Sequence, residues 1–480
     1  MSAEAPVSSA PPISVKRLLP WLVAVAFFME SLDTTILNTA VPVISRSLGV
    51  SLLSMKAVLA SYTLSLAVFI PISGWMADRF GTRRVFASAI GIFTLGSLLC
   101  GLMSDLHLMV ACRILQGAGG AMMVPVGRLT LVRTFPKSEL VRAMSFVAIP
   151  GLIGPMLGPL AGGLIVDYLH WRLIFFLNIP IGIIGLILVY LHLPDYRAAD
   201  VKPLDFVGLI LFGAGIALLS YVLEIFGEHS SLTTGEVLGL LALSIVLLVG
   251  YGVHAMGTPY PLLRLGLFRI RTFAAAVSGS FFTRLGIGGV PFLLPLLYQV
   301  GLGLNPVESG LLIMPQAAAA MTTKFFMPKL LDWLGYRAVL VSNTVALGLL
   351  LMLFATIRPG TPIWLIVLQA FCYGALTSTQ YTSMNTLVYA DVPEASASNA
   401  SSIASTFQQL SVSFGVAIAG LTTIYLIPDQ LRSNPAAMMS GLHEAFLALG
   451  AFTVLSTLVF WRLKRDDGAD ETRQKDIHLG

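Results

Sequence analysis

Residues 206–223 read FVGLILFGAGIALLSYVL, eighteen consecutive positions without a charged side chain. A helix crossing about 30 Å of hydrocarbon needs about 20 apolar residues. The run is therefore a membrane span, and residues 237–253 are nearly as apolar. This pair decides the architecture. Without it the remaining apolar runs give twelve spans; with it they give fourteen, and both counts leave the two termini on one side.

Working outward from the pair, further spans are expected near 18–42, 53–76, 84–104, 107–129, 141–166 and 171–193. After it they fall near 272–298, 308–330, 338–357, 362–386, 400–426 and 440–462, with the pair itself at 206–226 and 236–257. Composition agrees. Of 480 residues, 56% are hydrophobic and 11% charged, against roughly 25% charged in a soluble domain. A soluble exterior must meet water and cannot hide so much apolar surface. The first apolar run follows Lys16-Arg17 with no small-residue cleavage site after it, so it reads as a retained helix rather than a leader.

The basic residues set the orientation. Of 29 Lys and Arg, twenty fall in tails and loops on the side of the N-terminus. Arg46, Lys56, Arg172, Arg358 and Arg432 fall on the other side, and Arg113, Arg128, Arg284 and Lys324 within spans. The positive-inside rule then places both termini in the cytoplasm. The expected organisation is a tail at 1–17, a six-helix bundle at 18–193, an inserted two-helix linker at 194–257, a cytoplasmic loop at 258–271, a second six-helix bundle at 272–462 and a tail at 463–480. The halves echo one another: Asp78, Gly81 and Arg83 follow the second span as Asp332, Gly335 and Arg337 follow the tenth, as internal duplication would produce.

Charge inside hydrocarbon costs at least a few kcal/mol, so each such residue is a functional-site hypothesis. At 1.5 Å per residue, Asp33 lies roughly 22 Å from the inner end of the first span. Arg113, on a span running the opposite way, lies at similar depth. Glu30 is one turn from Asp33 on nearly the same face, and Arg284 sits near mid-span. Burial, Glu30 and Arg113 act in opposition on the proton affinity of Asp33, which suits a group that loads and releases a proton as access changes sides. A static buried ion pair is the plainer alternative. Gln116, Phe28, Met29, Phe281, Phe282 and Arg284 are candidates for the wall of a substrate cavity. Core or lipid-facing packing is the alternative for the apolar ones.

Several motifs carry a resemblance. Gly74-Trp-Met-Ala-Asp78-Arg79-Phe-Gly81-Thr-Arg83-Arg84 matches the cytoplasmic loop motif of the major facilitator superfamily. Leu32-Asp33-Thr-Thr-Ile-Leu-Asn38-Thr-Ala-Val-Pro42 resembles LDxTxxNxAxP of its fourteen-spanner drug/proton antiporter family. Arg113-Ile-Leu-Gln116-Gly117-Ala-Gly119-Gly120 is similar to that family's fourth-helix motif. Gly154 through Gly158-Pro159-Leu-Ala-Gly162-Gly163 resembles its antiporter motif, although Ser145 stands where the longer motif has a further glycine. Trp171-Arg172, Asn178-Ile-Pro180-Ile-Gly182 and Leu267-Phe268-Arg269 extend the likeness over most of the chain, closest to multidrug exporters of Gram-negative bacteria.

The resemblance implies a major-facilitator fold of two six-helix bundles plus an inserted pair. It also implies a proton-coupled antiporter in the bacterial inner membrane, exporting small amphipathic compounds by alternating access. Asp33, Glu30 and Arg113 would couple the proton. The loop at Gly74, Asp78, Arg79, Gly81, Arg83 and Arg84 would gate the cytoplasmic side. Gly154, Gly158, Pro159, Gly162 and Gly163 would form a hinge and seal. A narrower exporter of an organic anion is the competing expectation, because Arg284 and Lys324 make the second half electropositive.

Other function classes lack their signatures. No GxxxxGK[ST] or GxSxG occurs, and seven histidines are scattered without metal-ligand spacing. Cys100, Cys112 and Cys372 lie in apolar runs without a CxxC pair and read as small core residues. The expectation is a transporter and not an enzyme, without metal or cofactor and driven by a proton gradient. Its partners are a small-molecule substrate, protons and the lipid bilayer, with no nucleic acid, and it would work as a monomer.

Overall fold

In the computed structural model the described residues are 13–198, 201–225, 233–393, 396–426, 435–464 and 467. Most of both tails, with Arg432, lies outside them, as does the side chain of Ser145.

Fourteen spanning helices follow in order. In the first half they are α1 (Ile13–Ile36), α2 (Lys56–Phe80), α3 (Thr82–Leu102), α4 (Leu106–Thr134), α5 (Lys137–Tyr168) and α6 (Asn178–His192). The inserted pair is α7 (Phe206–Ile225) and α8 (Thr234–Gly257). The second half opens with α9 (Arg271–Ile287), prolonged by Val290–Leu296 and the π turn Leu297–Gly301. Pro306–Phe354 is one helical run broken at Gly335 into α10 (306–334) and α11 (336–354). The last three are α12 (Ile363–Leu387), α13 (Ala397–Leu426) and α14 (Pro435–Phe460). Eleven segments among the described residues are long and apolar enough to cross a membrane by themselves. The chain is a multi-pass membrane protein.

The first span stops earlier than its hydropathy suggests. Proline removes a backbone donor and its ring clashes with the carbonyl four residues back. Pro42 therefore ends regular helix ahead of itself: the chain passes through a tight turn at Asn38–Ala40 and resumes as the short helix Val41–Leu48. The duplication expected from the two loops is visible in the backbone. Gly81 (φ 97°, ψ 142°) and Gly335 (φ 73°, ψ 160°) adopt the same left-handed extended turn, a region essentially restricted to glycine.

Three hydrophobic cores hold the bundle. At the end of the molecule away from the termini, one core joins both halves, from Ile36, Val41 and Val58 to Leu293, Tyr298 and Phe446. Toward the end that bears the termini lie two further cores, one mainly of each half, the second also taking in Ala67 of α2. One is built on Val23, Phe86 and Val126, the other on Phe273, Leu340 and Phe460. The halves are thus fused at the far end and separate toward the termini end. Three polar contacts between them fall on the fused side. Gln299 Nε2 donates to the Thr39 carbonyl at 2.8 Å, Val307 N to Asp167 Oδ2 at 3.0 Å and Ser413 Oγ to the Ala60 carbonyl at 3.0 Å.

The inserted pair leans on the seam, with Phe212 and Ile216 of α7 in one core with Ala67 of α2 and Phe414 of α13. Asp205, just ahead of α7, ties the pair at the termini end. It accepts from Gly208 N (2.7 Å) and Leu262 N (3.0 Å) and meets His254 Nε2 at 2.7 Å. Burial would push the Asp205 carboxyl up, but these hydrogen bonds outweigh it and hold it below its ordinary 3.8.

Candidate functional site

Helix packing brings four helices of the first half around one carboxylate. Asp33 of α1 is 1% exposed. Arg113 Nη1 of α4 donates to its Oδ2 at 2.6 Å. Gln116 Nε2, one turn along α4, donates to Oδ1 at 2.8 Å, and Asn178 Nδ2 of α6 donates to the same oxygen at 3.0 Å. Arg113 Nη1 also reaches Gln116 Oε1 at 2.8 Å, so the three side chains close a ring. Asn178 Nδ2 is shared with Ser97 Oγ of α3 at 3.0 Å. Beneath the guanidinium lies Tyr62 of α2, its ring centroid 4.3 Å from Arg113 Cζ.

Glycines make this convergence possible. A Cβ at Gly96 would strike the Gln116 backbone, one at Gly117 would strike Tyr62 and Ser65, and one at Gly119 the Phe93 backbone. The stretch Arg113–Gly120 therefore presses α4 against α2 and α3 closely enough for Arg113 and Gln116 to reach across to α1. Glu30 lies one turn from Asp33 toward the termini end and is only half-buried, on the side where the halves separate. Arg128 and Asp33 are its charged neighbours.

The antiporter-type glycines form a track along which α5 packs on α1 of the same half. Cβ atoms at Gly154, Gly158 and Gly162 would collide with Ser31, with Thr35 and with the Ile36 carbonyl. Thr39 Oγ1 donates to the Pro159 carbonyl at 3.1 Å. The opposite face of α5 meets α10: a Cβ at Gly163 would strike Pro306, and one at Gly310 would strike Pro159. Helix α5 is thus wedged between α1 of one half and α10 of the other.

The loop after α2 is locked, but not as its own arginines suggested. Asp78 Oδ1 pairs with Arg133 Nη2 of α4 at 2.5 Å, whereas Arg79 and Arg84 are exposed. Arg83 contributes its backbone N–H, which donates to Asp195 Oδ1 at 3.2 Å. The Asp195 carboxylate fills the space a Cβ at Gly81 would need. Nor does Gly74 bring helices together, since a Cβ there would meet nothing within 4 Å.

The expected cavity wall divides. Met29 packs in the first half's own core and borders a groove of about 270 Å³ between α1, α3 and α6. That groove is lined by the first half alone, and Phe281 is not part of it. Phe28 lies against the shared far-end core, and Gln116 is engaged with Asp33. In the second half, Phe281 forms an aromatic cluster with Phe282, Phe407 and Phe414. Arg284, one turn further on α9, is 2% exposed. Its Nε donates to Ser280 Oγ at 3.0 Å, and its Cζ stands 3.4 Å from the Tyr381 ring centroid. Lys324 is exposed toward the termini end of α10.

Sequence reasoning missed Ser97, Tyr62, Arg133, Asp195 and Tyr381 as site residues. Asn178 stood inside a quoted motif without a role.

A family model described as Major Facilitator Superfamily matches residues 23–416. The chain belongs to the major facilitator superfamily. It is 40% identical over 446 residues to MdtD of Escherichia coli O6:K15:H31, a protein provisionally named for multidrug resistance, covering 93% of this chain and 94% of that one. The proteins of the same name in Escherichia coli K12 and Shigella boydii are 41% identical over the same span. Among solved structures, a D-xylose–proton symporter superposes with a TM-score of 0.68 at 15% identity, over 94% of this chain and 99% of that one. A bacterial homologue of the lysosomal transporter Spinster gives 0.64 at 15% identity, over 94% and 97%. At this identity these structures show a shared fold alone. The MdtD relatives make the chain a superfamily transporter of the MdtD type.

Proposed function

We propose that the protein is a proton-coupled antiporter that exports small amphipathic compounds from the cytoplasm by alternating access, without enzymatic chemistry or a cofactor. One observation carries this reading: a fully buried carboxylate, Asp33, held by Arg113, Gln116 and Asn178 at the depth where the two halves begin to fuse. Protonating Asp33 removes the counter-charge of Arg113 and the best acceptor of two amides, so the ring around it must rearrange. Helix α1 carries that change directly, because it shares a glycine-smoothed interface with α5, and α5 in turn is seated on α10 of the other half. Loading or unloading one proton in the first half therefore bears on the seam that closes the far end. Glu30, half-buried one turn nearer the separated side, passes the proton to Asp33.

A proton falling through 100 mV supplies about 2.3 kcal/mol, enough for roughly a fifty-fold concentration ratio at about 1.4 kcal/mol per decade. The excess of basic residues on the side of the termini supports cytoplasmic tails in a bacterial inner membrane, and the open side of the structure is then the cytoplasmic one. The interlocked halves within one chain support a working monomer. The narrower reading, export of an organic anion, draws support from the unbalanced Arg284.

The test is transport into proteoliposomes driven by an imposed pH gradient, with a panel of charged and neutral dyes. Asp33→Asn is expected to abolish accumulation while leaving the protein folded. Accumulation undiminished in that variant, or insensitive to collapse of the gradient, would overturn the reading.

A further inference from the structure

The two halves differ in how they treat a buried cation. Arg113 faces a carboxylate; Arg284 has no ion pair among the described residues. Its Nε is satisfied by Ser280 and its face by the Tyr381 ring, but Nη2 is buried without an acceptor. A buried donor left unmet is destabilising, and more so when it is charged. The neighbouring helices continue the pattern. Thr377, one turn from Tyr381 on the same face of α12, leaves its Oγ1 unpartnered, and so does Gln316 with its Nε2. Gln316 belongs to α10 and its backbone lies against Gly374 of α12. A charged donor, an amide donor and a hydroxyl therefore wait on α9, α10 and α12 with no protein acceptor. On the other side of Arg284, one turn back along α9, Phe281 opens the aromatic cluster with Phe407 and Phe414.

We propose that Arg284, Tyr381, Thr377 and Gln316 form a carboxylate-binding subsite of the transport path, and that the cargo is an amphipathic organic anion whose apolar body lies along Phe281 and Phe407. The inference rests on the transporter reading above and specifies its substrate class. A carboxylate supplies what the site lacks: a counter-charge for the guanidinium and acceptors for two unmet N–H groups, in a charge-assisted geometry stronger than neutral hydrogen bonding. A lipophilic cation would instead meet an uncompensated positive charge and gain nothing from Arg284.

Equilibrium binding to the purified full-length protein in detergent micelles, followed by fluorescence anisotropy with no pH gradient, tests the subsite. The probes are carboxyfluorescein, an aromatic carboxylate, and ethidium, an aromatic cation. Wild type is expected to bind carboxyfluorescein. Arg284→Gln should weaken that binding by roughly ten-fold or more, Arg284→Lys by less, and neither should weaken ethidium. Unchanged carboxyfluorescein affinity in Arg284→Gln, or a wild type that binds only ethidium, overturns the proposal. If Arg284→Gln elutes as aggregate, Arg284→Lys and Gln316→Leu decide. Each should weaken the carboxylate dye roughly three-fold while sparing the cation, and no change in either overturns the subsite. Because no gradient is applied, failure here leaves proton coupling at Asp33 standing. Failure of the Asp33→Asn test likewise leaves this measurement intact.

Discussion

At the scale of single residues, the carboxylate at position 33 shows what hydropathy encodes and what it omits. Two charges at equal depth on oppositely directed spans have nowhere else to turn, so Asp33 and Arg113 could be matched by counting residues. Asn178 could not, because its arrival at Asp33 depends on how α6 is rotated and where the break before it falls. Its contribution is now specific. Asn178→Leu removes one of two amide donors to Oδ1 and the donor to Ser97 Oγ, which keeps its own bond to the Phe175 carbonyl, at a cost of roughly 1–3 kcal/mol for the lost buried hydrogen bonding. We expect thermal unfolding in detergent to shift down accordingly, and gradient-driven transport to fall several-fold more than in Arg79→Ala, whose side chain is exposed. Equal transport in the two variants would remove Asn178 from the site. Arg284 was legible as an anomaly, but the lack of an acid beside it became visible only once the surrounding helices were in place.

At the scale of helices, small residues act by what they touch, which sequence spacing does not reveal. Gly158 and Gly74 both sit in motif-like surroundings. A side chain at Gly158 would drive into Thr35 and Ile36, whereas one at Gly74 would enter open space. Gly158→Leu is therefore expected to cost about 1–3 kcal/mol through overpacking and to abolish transport by forcing α1 from α5. Gly74→Ala should transport at close to the wild-type rate. Parallel transport assays and thermal unfolding separate the two, and a dead Gly74→Ala with a live Gly158→Leu would reverse the assignment. The spans themselves were legible because hydrocarbon demands long apolar runs. The early end of α1 was less so, since Pro42 acts on the backbone rather than on hydropathy, whereas the break at Gly335 falls between the two expected spans.

At the scale of the whole molecule, the three cores describe two halves joined at a common far end. The termini end of the first half is secured by Asp78 with Arg133 and by Asp195 with the turn at Gly81, partners separated by more sequence than any local motif spans. Such half-exposed pairs contribute roughly 0–1 kcal/mol to stability, so their consequence belongs to conformational balance. Arg133→Ala should leave the unfolding temperature almost unchanged yet slow transport several-fold, and a large loss of stability with unchanged transport would contradict this.

Helix α7 lies across the seam, touching α2 on one side and α13 on the other. Two six-helix bundles that part toward one face would leave a slit into the lipid along each flank. Here one flank is shuttered by α7, while the other is framed by α5 and α10, which meet closely at the fused end through Gly163 with Pro306 and Gly310 with Pro159. On the transport reading, a lipophilic compound dissolved in the adjoining leaflet would enter sideways beside α10, where Phe325 and Phe326 stand exposed.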